Sequence, residues 1–161
     1  MRPQSYLEKL KKENFKCGVI LLTGFPNAGK STLLNHLIKK KVSIVSPKIH
    51  TTKDVISGII NIKKTQLIFT DTPGIIDERK FYSKKLSRSI STVESNIDCN
   101  LFVYDLTKRF NNDILVKILG TTSKFKKNYL ILNKIDLVSK KSLLDTSQNI
   151  NANVKFLETF M

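Results

Sequence analysis

The first strong pattern along the chain is an apolar run at residues 17–23, Cys-Gly-Val-Ile-Leu-Leu-Thr, closed by Gly24. A run this short, with no polar alternation, predicts a strand covered on both faces. Beyond a glycine-containing loop, Leu33, Leu34, Leu37 and Ile38 recur at helical spacing from Lys30 onward. Lys39, Lys40 and Lys41 then place cations where a helix C-terminus favours them. The predicted order is strand, loop, helix.

Residues 42–53 are polar, carry Pro47 and the pair Thr51-Thr52, and predict a loop. Residues 54–62 alternate at Val55, Ser57 and Ile59, residues 65–70 contain Leu67-Ile68-Phe69, and Lys63-Lys64 turns between them, so an antiparallel hairpin is expected. Two further apolar runs, 98–106 and 129–133, each follow a predicted helix, at 82–95 and 113–123. A helix over 140–149 and an alternating strand over 154–161 complete the series. Strands alternating with helices imply an α/β fold: a doubly wound, mainly parallel sheet with helices on both faces and one antiparallel edge strand. Residues 17–161 make the expected domain, while 1–16, with Tyr6, Leu7, Leu10 and Phe15 among charges, predict a lead-in helix or frayed arm.

Composition narrows the class. A length of 161 residues suits one domain, and 40% hydrophobic with 25% charged residues matches a globular chain. Cys17 and Cys99 cannot frame a disulfide scaffold, and no histidine cluster stands near either to make a zinc site. A reduced, cytoplasmic setting is expected, with both cysteines as small buried hydrophobes at strand starts. No apolar run approaches membrane-spanning length, and residues 1–16 lack the apolar centre of a secretory signal.

The net charge of +15 has two readings, attraction to nucleic acid or an anionic membrane surface, or lysines solvated on helix faces. Lys39-Lys40-Lys41, Lys84-Lys85 with Arg88, and Lys124, Lys126 and Lys127 have little aromatic interleaving, which favours solvated helix ends. His36, on the first predicted helix, and His50, in the loop, lack the partners of a catalytic histidine.

The chemistry concentrates in three segments. Gly24-Phe25-Pro26-Asn27-Ala28-Gly29-Lys30-Ser31, with Thr32 next, fits G-x-x-x-x-G-K-[ST] between a predicted strand and a predicted helix. Its glycines let the backbone wrap a phosphate chain, and the helix N-terminus adds positive potential. Lys30 would reach the β- and γ-phosphates, and the Ser31 hydroxyl would bind Mg²⁺. Asp71-Thr72-Pro73-Gly74, followed by Ile75, ends the second hairpin strand; there a carboxylate can hold Mg²⁺ through water and the Gly74 N–H can sense a γ-phosphate. Asn133-Lys134-Ile135-Asp136 closes a later strand. The Asp136 carboxylate can accept both N1–H and N2–H of guanine while Asn133 meets the N7/O6 side; adenine offers no matching donors.

Taken in chain order, these segments resemble the Era family of bacterial GTPases, which act in small-subunit ribosome assembly. The likeness is carried by residues 26–37, by 42–53 with its Thr51-Thr52 pair, and by Ile68-Phe69-Thr70-Asp71-Thr72-Pro73-Gly74-Ile75, spanning 18–75 and continuing more loosely to Asp136. The resemblance implies a GTPase domain that binds GTP and GDP with Mg²⁺ and hydrolyses GTP slowly. It makes Thr52 the threonine that ligates Mg²⁺ in the GTP state, with Thr51 as the alternative. It makes Asn27 a ligand for K⁺ beside the phosphates, a cation that would do the electrostatic work of an arginine finger, about 10³–10⁵ in rate.

Lys30, Thr52, Gly74 and Asn27 are then the groups that stabilise the transition state. Ile75 stands where Ras-like proteins carry a water-orienting Gln, and no side chain is assigned as general base. The family implies 16S rRNA and the 30S subunit as partners, a monomer, and cytoplasmic placement with peripheral contact at the inner membrane. The family's Ser-Ala guanine motif and RNA-binding KH domain are expected to be missing: the glycines at 18, 24, 29, 58, 74 and 120 include no pair three apart, as a G-x-x-G clamp requires. The alternatives are a truncated GTPase fragment with weak nucleotide binding and no turnover, and another P-loop NTPase such as an ATPase or kinase.

Overall fold

In a computed structural model, residues 15–40, 56–71 and 97–161 are described. The lead-in at 1–14, the whole loop at 42–53 with His50, Thr51 and Thr52, the segment 72–75, and the helix expected at 82–95 with its Lys84, Lys85 and Arg88 lie outside them. Among the described residues six strands form one sheet: β1 (Lys16–Gly24), β2 (Ile56–Ile62), β3 (Thr65–Asp71), β4 (Cys99–Asp105), β5 (Asn128–Asn133) and β6 (Glu158–Phe160). Three α-helices among the described residues flank the strands in sequence: α1 (Lys30–Lys40), α2 (Asn112–Thr122) and α3 (Lys140–Asn153). The strand order is β2-β3-β1-β4-β5-β6, with β2 antiparallel at one edge and every other pair parallel, as the alternation of strands and helices predicts.

Successive residues of β4 point to opposite faces, and each face has its own core. Phe102, Tyr104, Leu130 and Leu132 pack with Ile118 of α2 and Ile150 of α3; Val103, Leu22 and Phe69 pack with Leu34 and Ile38 of α1. Ile118 and Ile150 are fully buried, and each contributes roughly 2 kcal/mol over an exposed position. Asn111 caps α2 by accepting from Ile114 N at 2.9 Å, and Ser139 caps α3 by accepting from Ser142 N at 3.2 Å.

A buried polar chain ties the middle strands together. Thr23 Oγ1 donates to Asn100 Oδ1 at 2.6 Å, Asn100 Nδ2 donates to Asn128 Oδ1 at 2.9 Å, and Asn128 Nδ2 donates to the carbonyls of Thr122 and Phe125. These side chains are buried, so each unmade bond would carry the full cost of desolvation.

Two expectations are corrected. Residues 154–161 are not one strand: α3 runs to Asn153, Val154 closes it on the core, and only Glu158–Phe160 pairs with β5. Ile150 and Val154 are four apart, the helical spacing, and their burial outweighs the local alternation. Cys17 is exposed and Cys99 only half-buried, because both stand at the N-terminal ends of strands whose burial deepens toward their C-terminal ends. Burial and then the neighbouring Asp98 charge push the Cys99 thiol up from its ordinary value.

Candidate nucleotide site

The parallel strands β1, β4 and β5 end at one edge of the sheet, and the candidate residues gather there. β1 stops at Gly24, whose φ of +141° is closed to other residues, and a Cβ there would strike the Val103 carbonyl oxygen. Phe25 turns inward, meeting Phe102 and Tyr104 edge-on at centroid distances of 5.9 and 6.2 Å. A turn follows in which Ala28 N donates to the Phe25 carbonyl at 3.2 Å and Asn27 takes a left-handed φ of 61°. Gly29, at φ +95°, leads into α1, and Leu33 N donates back to its carbonyl at 2.9 Å.

Lys30 opens α1, and its Nζ folds back over the loop to donate to the carbonyls of Gly24 at 3.1 Å and Phe25 at 2.9 Å. No acidic residue stands in the first turn of α1, so the positive potential of the helix end is unopposed from within it. An open cavity of about 380 Å³ lies above, lined by Asn27, Gly29, Lys30, Ser31, Thr32 and Lys134.

The end of β5 meets the loop, and Lys134 just beyond it lines the cavity. Asn133 Nδ2 donates to the Ala28 carbonyl at 2.8 Å, and a Cβ on Gly29 would collide with that amide. Lys134 follows with a left-handed φ of 62°, and Asp136 lies exposed in the single 3₁₀ turn Ile135–Leu137. Lys134 Nζ reaches down to Asp105 Oδ2 at 2.7 Å.

Residues 19–134 match the model of the 50S ribosome-binding GTPase family. The chain belongs to that family. Among curated relatives, GTPase Era of Afipia carboxidovorans is 37% identical over 149 residues, 91% of this chain and 47% of that protein. Among solved structures, an Aquifex aeolicus Era variant bound to GDP·AlF4⁻ superposes with a TM-score of 0.62 at 31% identity, covering 91% of this chain and 50% of that one. Era in complex with MgGDPNP and a 16S ribosomal RNA segment gives 0.59 at 30% identity, covering 91% and 51%. The Era resemblance and the fold it implies are thus borne out, and the chain spans about half the length of the curated relatives it matches.

Gly24, Phe25, Pro26, Asn27, Ala28, Gly29, Lys30, Ser31 and Thr32 and the turn of Asn133, Lys134, Ile135 and Asp136 meet at one sheet edge. Asp71 ends β3 in register with Leu22 of β1, which places its backbone at the same edge. Thr52, Thr72, Pro73, Gly74 and Ile75 lie outside the described residues. The exposed Ser31 hydroxyl, an oxygen donor of the kind Mg²⁺ takes, borders the cavity beside Lys30.

Sequence reasoning passes over two residues. Asp105 is 2% exposed; its Oδ1 accepts from Thr107 N at 3.0 Å and Thr107 Oγ1 at 2.7 Å, while Oδ2 takes Lys134. Burial raises this carboxyl, but the bonds from Lys134 and Thr107 outweigh it and hold the group below its ordinary value. The signal for Asp105 is an acid closing an otherwise apolar run, two positions before a threonine. Tyr104, donating to the Lys108 carbonyl at 3.1 Å, is pushed up to about 12 by burial and then by the Asp105 charge.

Proposed function

We propose that this chain binds GTP and GDP with Mg²⁺ and hydrolyses GTP slowly, serving as a switch in small ribosomal subunit assembly. One observation carries the reading: Asn133, in the turn that would read the base, is bonded to Ala28 of the loop that would hold the phosphates, and Lys134 of that turn lines one cavity with the loop. Phosphates would lie on the 24–32 loop, with Lys30 exchanging its loop carbonyls for β- and γ-oxygens. Asp136 would accept from guanine N1–H and N2–H, and the second N–H of Asn133 would meet the N7/O6 side. Ser31, Thr52 and, through water, Asp71 would hold Mg²⁺, which when bound neutralises charge on the β- and γ-phosphates. Asn27 would hold K⁺ beside them. Thr52 and Gly74 would sense the γ-phosphate and be released on hydrolysis, the usual logic of a GTPase switch.

The 16S rRNA and the 30S subunit are the proposed partners, supported by likeness to an Era chain solved with a 16S rRNA segment. Lys16, Lys63, Lys64, Lys124, Lys126, Lys127 and Lys155 are exposed at the sheet edge opposite the nucleotide cavity, a basic pole that leaves the cavity clear. No described helix is long and apolar enough to cross a membrane. The proposal is a monomer working in the cytoplasm with peripheral contact at the membrane. The test is phosphate release from GTP in Mg²⁺ with ATP as competitor. The reading expects slow release that ATP leaves unaffected; equal competition by ATP, or binding without any release, contradicts it.

A further inference from the structure

We infer that Asp105 is a positioning residue for base recognition, acting through Lys134 to hold the Asn133–Asp136 turn in the shape that discriminates guanine. The inference rests on the guanine-nucleotide reading of the site.

The two residues meet across the core-to-cavity boundary. The Asp105 carboxylate is 2% exposed, whereas the Lys134 side chain is a third exposed and borders the cavity. With Nζ at 2.7 Å from Oδ2, the aliphatic stem of Lys134 must run along the cavity wall toward the core. The carboxylate is itself fixed, because both Thr107 bonds fall on the other oxygen. Asp105 also lies opposite Asn133 in the β4–β5 register, and Leu106 N donates to the Asn133 carbonyl at 3.2 Å.

The turn is therefore clamped from two sides. On the phosphate side the Ala28 carbonyl holds the Asn133 amide; on the core side Asp105 holds Lys134. Between the clamps Lys134 has φ 62°, a left-handed geometry that a residue with a Cβ keeps only when its surroundings impose it. Releasing the core-side clamp frees that residue to leave the left-handed region, and Asp136, two positions on, moves with it. Phosphate contacts come from the 24–32 loop and do not pass through Asp105. The inference thus separates base selectivity from phosphate affinity.

Asp105→Asn keeps the shape and one acceptor for Thr107 but removes the charge that holds Lys134. Titration calorimetry of the 161-residue chain with GDP, ADP and pyrophosphate, all in Mg²⁺, reads the separation. D105N should lower the preference for GDP over ADP by about tenfold while pyrophosphate affinity stays within about twofold. In a Lys134→Ala background, D105N should add no further loss of preference, because the effect travels through Lys134. If D105N proves unstable, Thr107→Val, which loosens the same carboxylate, should give a smaller loss in the same direction. An unchanged preference in either variant, equal weakening of GDP and pyrophosphate, or a further loss in the Lys134→Ala background overturns the inference. A wild-type chain that does not prefer GDP to ADP overturns the guanine reading itself, whereas an intact wild-type preference retained by D105N overturns this inference alone.

Discussion

The amide of Asn133 donates to the carbonyl of Ala28 at 2.8 Å, although the two residues lie 105 positions apart. That bond joins the strand end that would read the base to the loop that would hold the phosphates. Asn133→Ala should cost about 1 kcal/mol of stability and weaken GDP binding about tenfold or more. Gly29→Ala should do worse, since its Cβ meets the same amide at a φ of +95°. Thermal melts and GDP titrations of both variants check the order.

The identity of the base should be set by Asp136. Its carboxylate accepts two donors from guanine, and Asp136→Asn offers one donor and one acceptor instead. Xanthine presents a carbonyl where guanine carries its amino group. The variant should therefore favour xanthosine diphosphate over GDP, as measured by competition against a labelled nucleotide.

Asn100 is the centre of the buried chain from Thr23 to Asn128. Asn100→Ala leaves the Thr23 hydroxyl and the Asn128 amide oxygen buried without these partners, and should destabilise the fold by about 2–4 kcal/mol in urea titrations. Nucleotide specificity should be retained where the variant is folded, because the chain lies below the cavity.

Acid should act through Asp105. Its folded value lies below the ordinary 3.8, so its stabilisation is complete above that value and disappears as pH falls through the lowered folded one. Urea titrations from neutral pH downward should show the wild type losing stability across this acid window more steeply than D105N.

Potassium should accelerate turnover if Asn27 holds a cation beside the phosphates. Phosphate release in K⁺ should exceed that in Na⁺ by about tenfold or more, and Asn27→Ala should abolish the difference. Equal rates in the two salts contradict the assignment.

The sheet was largely legible because its signals are local. The run ending at Gly24, the Lys63-Lys64 turn and the helical spacing of Leu33, Leu34, Leu37 and Ile38 each report their own element. Asn133 was legible by motif, and its bond to Ala28 follows from topology rather than spacing. Asp105 was not legible in that way: its role depends on a lysine 29 positions away, brought close only by the pairing of β4 and β5. The end of α3 escaped for a similar reason, since the 154–161 alternation competes with burial of Ile150 and Val154 that appears only once the helix is docked. The exposure of Cys17 likewise depends on where along β1 the core begins, since burial deepens only toward Gly24.

The most direct measurement is calorimetric titration of the 161-residue chain with GDP and with ADP in Mg²⁺. A carboxylate matched to guanine predicts that GDP binds more tightly by about a hundredfold or more. Equal affinities for GDP and ADP would contradict the account.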